Sequence, residues 1–117
     1  MEKNKIVPLI ILGLIAATVF FGVKLFESGK TTAKSITLAE IAKHNSGTDC
    51  WMAIEGNVYD VTSFIADGKH PGGDAILQGC GKDATILFNT RPMGSGTPHS
   101  DRARSMLLQF LIGVLAK

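Results

Sequence analysis

Cysteine is scarce in this chain, which contains only Cys50 and Cys80 among its 117 residues. Neither belongs to a Cys-x-x-Cys or Cys-x-x-Cys-His pattern, so a thioredoxin-like site and covalent attachment of a c-type haem are excluded. Zinc binding by Cys80, His70 and His99 is disfavoured because these residues lack the spacing of zinc-ligand pairs. No cysteine lies near the end of the apolar amino-terminal stretch, which argues against a lipoprotein.

Two further absences remove other functional classes. The chain has no Gly-x-Ser-x-Gly sequence, so a hydrolase triad built from Ser95 and His99 would lack its nucleophile elbow. Lysine and arginine number 12 against 10 aspartates and glutamates, and the net charge is only +2. Because these cations form no basic stripe, we expect no nucleic-acid partner.

A long apolar run is present at the amino end, where Ile6 to Val23 contains no charged residue. As a helix it would be about 27 Å long, close to the thickness of a bilayer core. We therefore expect residues 1–26 to form a single-pass membrane anchor. A cleaved signal peptide is the alternative, but cleavage after Ala16 or Ala17 would leave a large residue at position minus three.

Lysines flank this run on both sides, so counting positive charges does not decide its orientation. The short basic start looks like an export signal, which favours an extracytoplasmic, periplasmic location for the rest of the chain. Residues 27–34 are polar and without hydrophobic periodicity, as expected of a linker. Residues 35–117 then form one domain.

A domain of this size is marginal for burying its own core, so a large apolar ligand or a disulfide would contribute to its stability. Cys50 and Cys80 make one candidate pair, which an exported domain would form as a disulfide. Two buried free thiols are the alternative.

The first half of the domain reads as a helix followed by a hairpin. Thr37 and Glu40 fit a capping box, which predicts a helix from Leu38 to His44. Two short apolar runs, 50–54 and 58–61, flank a glycine-containing turn and predict a β-hairpin. Within it, Trp51 and Tyr59 are predicted core residues.

The second half alternates short helices with glycine-rich turns, so the pattern as a whole indicates an α+β fold. The predicted elements are a helical turn over 62–65, a helix over 73–78, a helix capped by Asp83, a non-helical segment over 91–99, a helix capped by Ser100 or Asp101 and running through Met106, and a strand over 110–115.

Two histidines stand out against this background. His70-Pro71-Gly72-Gly73 presents an imidazole on a rigid turn whose glycines permit close approach by a flat group. Trp51 and Val-Tyr-Asp-Val-Thr precede this turn, Asp-Ala-Thr follows it, and a second histidine arrives at His99. In these motifs and their order, the chain resembles the cytochrome b5 family over about residues 35–113.

The resemblance implies a cytochrome b5-like fold, a small mixed sheet with two helical hairpins that form a pocket for non-covalent haem b. His70 and His99 would be the axial iron ligands, and each would be neutral. The other ring nitrogen of each would donate a hydrogen bond to a carbonyl near Pro71 or in the 96–98 loop. The remaining cofactor contacts would be Ile54, Val61, Phe64, Pro71, Gly72, Ile76, Leu77, Phe88, Ser100, Met106 and Phe110, with Ser100 near a haem propionate. His44, at a helix end, is expected to have no ligand role.

The function that follows is a membrane-tethered one-electron carrier between a reductase and an acceptor, without substrate turnover of its own. Two imidazoles leave the iron no vacant position, which favours electron transfer over catalysis. A haem-dependent ligand-binding or sensing module of the same fold is the alternative.

Three features depart from the animal members of the family. The segment between the histidines is longer, with the surplus in residues 91–98, as in bacterial members. Basic residues at 69, 82, 91, 102 and 104 lie among the acidic ones. The resemblance therefore does not imply a basic cytochrome c as the partner of this chain. The expected anchor is at the amino end rather than the carboxyl end.

Overall fold

A two-residue turn at Glu55 and Gly56 joins the central hairpin of the sheet, β3 (Asp49–Ile54) and β4 (Asn57–Asp60). Both turn residues have positive φ, at 50° and 82°, as a type I′ hairpin turn requires. The predicted hairpin is therefore confirmed, with strand ends that differ by one residue.

The computed structural model describes residues 32–117, so the predicted anchor (1–26) and most of the predicted linker (27–34) lie outside the described residues. Within 32–117, no helix is both long and apolar enough to cross a membrane.

Four short strands complete the sheet around this hairpin: β1 (Ser35–Ile36), β2 (Asn45–Ser46), β5 (Lys82–Asp83) and β6 (Leu111–Leu115). The strand order is β1-β6-β4-β3-β2, and β5 pairs in parallel with β3. β1 lies parallel to β6, and a Cβ at Gly113 of β6 would collide with the carbonyl of Lys34. Glycine at position 113 therefore allows β1, at the start of the domain, to pair with β6 at its end.

The helices are short: α1 (Leu38–Ile41), α2 (Thr62–Ala66), α3 (Thr85–Thr90) and α4 (Asp101–Leu107), with 3₁₀ segments at Gly73–Gly79 and Leu108–Phe110. The predicted extension of α1 to His44 is wrong, because the chain turns after Ala42 so that β2 can pair with β3. The predicted helix over 73–78 is present as a 3₁₀ segment.

Side-chain caps fix the helix starts much as predicted. Thr37 Oγ1 accepts from the Glu40 amide at 3.1 Å, but the Glu40 carboxylate pairs with Lys43 and does not reach back. Ser100 Oγ accepts from the Ala103 amide at 3.2 Å, which confirms Ser100 as the cap of α4. Asp83 Oδ1 accepts from the Thr85 amide at 3.0 Å, but the cap residue of α3 is Ala84. The predicted cap is therefore displaced by one residue.

The sheet separates two apolar layers, because successive side chains of a strand point to opposite faces. Cys50, Met52 and Ile54 of β3 belong to a layer that also contains Tyr59 and packs against α2, α3 and α4. Ala53 and Val58 belong to the other layer with Ile36 and Ile41, and Trp51 packs against it. Tyr59 is a core residue as predicted, whereas Trp51 is only half-buried.

Candidate cofactor site

His70 and His99 face each other across the first of these layers. Their ring centroids are 6.4 Å apart, and their ring planes are inclined by 32°. His70 follows α2 on a turn closed by a hydrogen bond from the Gly73 amide to the His70 carbonyl (3.0 Å). His99 directly precedes the cap of α4, and its amide donates to the Phe88 carbonyl at 3.1 Å.

Each imidazole donates its Nδ1 hydrogen to a backbone carbonyl. His70 Nδ1 lies 2.9 Å from the Gly73 oxygen, and His99 Nδ1 lies 2.7 Å from the Phe88 oxygen. Because a carbonyl only accepts, these contacts select the tautomer with a free lone pair on Nε2. Nε2 is then the nitrogen that each ring offers to a metal.

The expected carbonyl partners are therefore correct for one histidine and wrong for the other. Gly73, next to Pro71 and Gly72, serves His70 as anticipated. The 96–98 loop does not serve His99; Phe88 at the end of α3 does. The His99 amide and its ring both bond to this carbonyl, which fixes the side chain from two directions.

The separation of the two rings matches a single metal atom held between them. A metal–imidazole bond is about 2 Å long, so two imidazoles on opposite sides of one metal have centroids about 6 Å apart. The observed 6.4 Å agrees with this value. The residues present therefore fit a metal-centred planar group inserted between His70 and His99.

A cavity of about 700 Å³ opens between the histidines, within the size range of small-molecule and cofactor sites. Its lining includes nearly all the predicted contact residues: Ile54, Val61, Phe64, Pro71, Gly72, Ile76, Phe88, Ser100, Met106 and Phe110. Leu77 is the exception. It is 39% exposed, lies outside the lining, and its Cδ2 points towards Gly47. The prediction for Leu77 is wrong, because successive side chains of a helical segment point about 100–120° apart, so that Ile76 lines the cavity and Leu77 does not.

Sequence reasoning missed several apolar lining residues: Met52, Ala75, Ala84, Leu87, Ala103 and Leu107. For some of them the signal was available. Met52 lies two residues before Ile54 on the same strand face, and Ala103 and Leu107 share the helical spacing of Met106 and Phe110. The hairpin is predicted from two apolar runs around a turn, and the alternation of side chains along β3 was not used to choose which of its residues face the pocket.

Gly72 lines the cavity and also makes room for a side chain of the site. A Cβ at this position would lie 2.9 Å from Cε1 of His70, so the missing side chain makes room for the His70 ring itself. Phe64 approaches the same ring edge-on, with centroids 6.1 Å apart. Together Gly72, Phe64 and the Gly73 carbonyl set the orientation of the His70 imidazole.

His99 is held on its other side by an aromatic stack. Its ring lies 4.2 Å from that of Phe88, and the two planes differ by 4°. Partial burial lowers the pKa of His99, and the positive charges of Arg91 and Arg104 lower it further, while the bond to Phe88 opposes this shift. A lowered pKa keeps the imidazole neutral near pH 7, which is the form that binds a metal.

The long segment between the histidines is organised by Arg91, which ends α3 in a left-handed conformation (φ 39°). Its side chain donates from Nε to the Thr97 carbonyl and from a terminal nitrogen to Thr97 Oγ1, each at 2.6 Å. Arg91, Lys69 and Arg102 are the charged residues of the lining, and all three are cationic. His44 lies away from this cavity, stacked on Trp51 at 3.6 Å.

The structure joins Cys50 and Cys80 by a disulfide, which is one of the two outcomes left open by the sequence. Both residues are buried, at 0% and 6% exposure. The bond links β3 to the end of the 3₁₀ segment Gly73–Gly79, so it fastens the wall that follows His70 to the sheet.

Comparison with known proteins agrees with this architecture. Residues 37–116 match the family described as "Cytochrome b5-like Heme/Steroid binding domain". Cytochrome b5 of Nicotiana tabacum is 47% identical over 81 residues, which are 68% of this chain and 54% of that protein. Soluble cytochrome b558 of Ectothiorhodospira shaposhnikovii is 40% identical over 86 residues, 74% of this chain and 91% of that protein.

Among solved structures, cytochrome b558 of Ectothiorhodospira vacuolata superposes with a TM-score of 0.64 at 39% identity, covering 72% of this chain and all of that one. The chain spans about half the length of the plant cytochrome b5 that it matches. At the level of the family, the predicted fold and the predicted haem cofactor are confirmed. This chain therefore belongs to the cytochrome b5 family.

Proposed function

We propose that the chain is a one-electron carrier whose b-type haem is bound by His70 and His99 from opposite sides. The observation that carries this proposal is the ring separation of 6.4 Å between two imidazoles whose Nδ1 atoms are both engaged by backbone carbonyls. The Nε2 lone pair of each ring is then free to bind a metal, and the separation of the rings suits two ligands of one iron.

The residues around the histidines suit this role. A haem with two imidazole ligands supplies a couple between ferric and ferrous iron that exchanges one electron with each partner. Gly72, Phe64 and Phe88 fix both imidazole rings, so the ligands need little rearrangement when the charge changes. The lining is mainly apolar, which suits a porphyrin, and the absence of a Cys-x-x-Cys-His motif indicates a non-covalent attachment.

The partners in this proposal are a reductase that donates one electron and an acceptor that takes it. The charged residues at the cavity are Lys69, Arg91 and Arg102, and this does not favour the docking of a basic protein. Ser100 Oγ caps α4 and also lines the cavity, so a propionate near this serine would lie beside the amino end of that helix.

We further propose that residues 6–23 tether the domain to a membrane and that the domain faces an oxidising, extracytoplasmic compartment. The uncharged run supports the tether, and the Cys50–Cys80 bond supports the compartment, because disulfides persist where the environment is oxidising. Fractionation after alkaline washing, followed by protease treatment of intact spheroplasts, tests both points. Haem protein released by washing would argue against the tether, and protection from protease would argue against the location.

The decisive experiment on the cofactor is an absorption spectrum of the oxidised and the reduced full-length protein, expressed with ample haem. We expect a low-spin b-type spectrum that carbon monoxide does not change, because neither axial position is vacant. His70→Ala and His99→Ala should each abolish this spectrum, and His44→Ala is the matched control that should leave it intact.

The sensing alternative predicts a different result. One weak axial bond would make the reduced spectrum of the unaltered protein respond to carbon monoxide. Such a response, or a normal low-spin spectrum in either His→Ala variant, would contradict the carrier proposal.

A further inference from the structure

Arg104 of α4 connects three elements behind the His99 wall of the cavity. It donates one hydrogen bond to Glu55 Oε2 in the β3–β4 turn (2.8 Å) and another to Asn89 Oδ1 in α3 (2.6 Å). Asn89 Nδ2 in turn donates to Glu55 Oε1 at 3.1 Å. The three side chains therefore close a ring of hydrogen bonds that joins the sheet, α3 and α4.

The same guanidinium contacts the aromatic ring that supports His99. Its Cζ lies 5.2 Å from the centroid of Phe88, within the range of a cation–π contact. Phe88 stacks on His99 at 4.2 Å and accepts its Nδ1 hydrogen through the backbone carbonyl. A displacement of Phe88 would therefore move both contacts that orient the imidazole.

We propose, on the basis of the proposed haem function, that Arg104 is a positioning residue that acts on His99 through Phe88 and whose charge raises the reduction potential. The positional part follows from the chain of contacts from Arg104 to His99. The electrostatic part follows because a cation near the iron favours the state with one electron more. Glu55, as the partner anion, offsets part of this effect, so the two residues act on the potential in opposite directions.

Four variants of the full-length haem protein separate these effects. Arg104→Gln removes the charge and the paired donors. Arg104→Lys keeps the charge but loses the bidentate hydrogen bonding of the guanidinium. Glu55→Gln keeps the cation and removes its counter-charge. Lys43→Gln is the matched control, because Lys43 and Glu40 form an ion pair of the same 2.8 Å length on the surface helix α1. The readouts are the rate of haem transfer to an excess of a haem-scavenging protein and the reduction potential by spectroelectrochemistry.

Arg104→Gln should release haem about tenfold faster, as is typical when a partner of a metal ligand is lost, and its potential should move to a more negative value. Arg104→Lys should release haem faster than the unaltered protein while keeping its potential close to normal. Glu55→Gln should move the potential to a more positive value. Lys43→Gln should change neither property.

A merely structural role for Arg104 would lower the melting temperature without moving the potential of the folded protein. Unchanged potential and unchanged haem release in Arg104→Gln would overturn the proposal, and so would shifts of the same sign in Arg104→Gln and Glu55→Gln. These failures are separable from failure of the carrier function, because they are judged only after the unaltered protein shows the low-spin spectrum of two histidine ligands.

Discussion

The wall that carries His70 is fastened to the sheet by a covalent bond, whereas the wall that carries His99 is fastened by hydrogen bonds and an ion pair. The first wall ends at Cys80, which is bonded to Cys50 of β3. The second is held by the ring of hydrogen bonds among Glu55, Asn89 and Arg104. In its ion pair, the side chain of Arg104 is 35% exposed and that of Glu55 is 47% exposed. Oxidising conditions therefore stabilise the support of His70, and ionic interactions stabilise the support of His99.

This contrast means that the two walls should respond to different perturbations. A reductant should loosen the support of His70 while leaving His99 in place, and high salt should weaken the support of His99 because partly exposed ion pairs are screened. Four predictions test or refine the comparison, from the largest expected effect to the smallest.

Removal of the disulfide should have the largest effect on stability. Its ends are 30 residues apart, and closing a loop of that size restricts the unfolded chain by about 3–4 kcal/mol. The double variant Cys50→Ala, Cys80→Ala should therefore lower the free energy of unfolding of the haem-free domain by about that amount, measured by urea denaturation. An unchanged free energy of unfolding in the double variant would contradict the covalent fastening, as would two reactive thiols in the unreduced, denatured protein.

Gly72→Ala should disturb His70 without touching His99. The new Cβ would lie 2.9 Å from the imidazole Cε1, so the ring must shift and haem should bind about tenfold more weakly, or about 1.4 kcal/mol. Gly47→Ala is the control, since its Cβ would meet only the end of the Leu77 side chain, at 3.2 Å. Haem affinity is measured by titration. Equal affinities for the two variants would show that the His70 ring tolerates the added Cβ, which would contradict the prediction.

Thr97→Val should loosen the loop that precedes His99. The change removes the hydroxyl that accepts from Arg91 at 2.6 Å but leaves the carbonyl that accepts from the Arg91 Nε. Because this bond is exposed, we expect a cost of about 1 kcal/mol or less, seen as a severalfold faster haem release. Ser63→Ala, on the outer surface of α2, serves as a control; a Thr97→Val protein that releases haem at the control's rate would show that Thr97 does not support His99.

The smallest effect should be a pH dependence specific to His99. Its pKa is lowered in the folded domain, chiefly by burial, so the unfolded chain takes up a proton at a higher pH than the folded domain does. Stability therefore rises with pH across this window, and the haem-free domain should lose stability as the pH falls below about 6.5. Proton NMR of the His99 ring in the folded and the urea-unfolded chain would measure both midpoints, and a folded midpoint at or above the unfolded one would refute the prediction.

The sequence was most informative where a residue type has one common use. His70 and His99 stand out because of the turn and the order of motifs around them, and the helix caps Thr37 and Ser100 were predicted correctly because hydroxyls cap helices. Two-residue strands such as β1, β2 and β5 have no periodicity of their own, so they depend on pairing with distant segments that a local pattern does not reveal.

The errors at the site have similar physical causes. Leu77 was assigned to the pocket by the resemblance of the chain to the family, together with its neighbour Ile76. Successive side chains of a helical segment point in different directions, so only Ile76 lines the cavity. The Phe88 carbonyl was missed because a backbone acceptor eleven residues away carries no sequence signal. The ion pair between Glu55 and Arg104 was likewise invisible, since only the fold brings the hairpin turn to α4.

The position of Cys50 on β3 has a consequence for how the chain reaches its native state. A slip of one residue in the pairing of β3 would turn every side chain of the strand to the opposite face. Cys50 would then point away from Cys80, and Met52 and Ile54 would leave the cavity floor. The register that brings Cys50 to Cys80 is thus the one that places Met52 and Ile54 in the cavity lining, and a slip of one residue is incompatible with the bond.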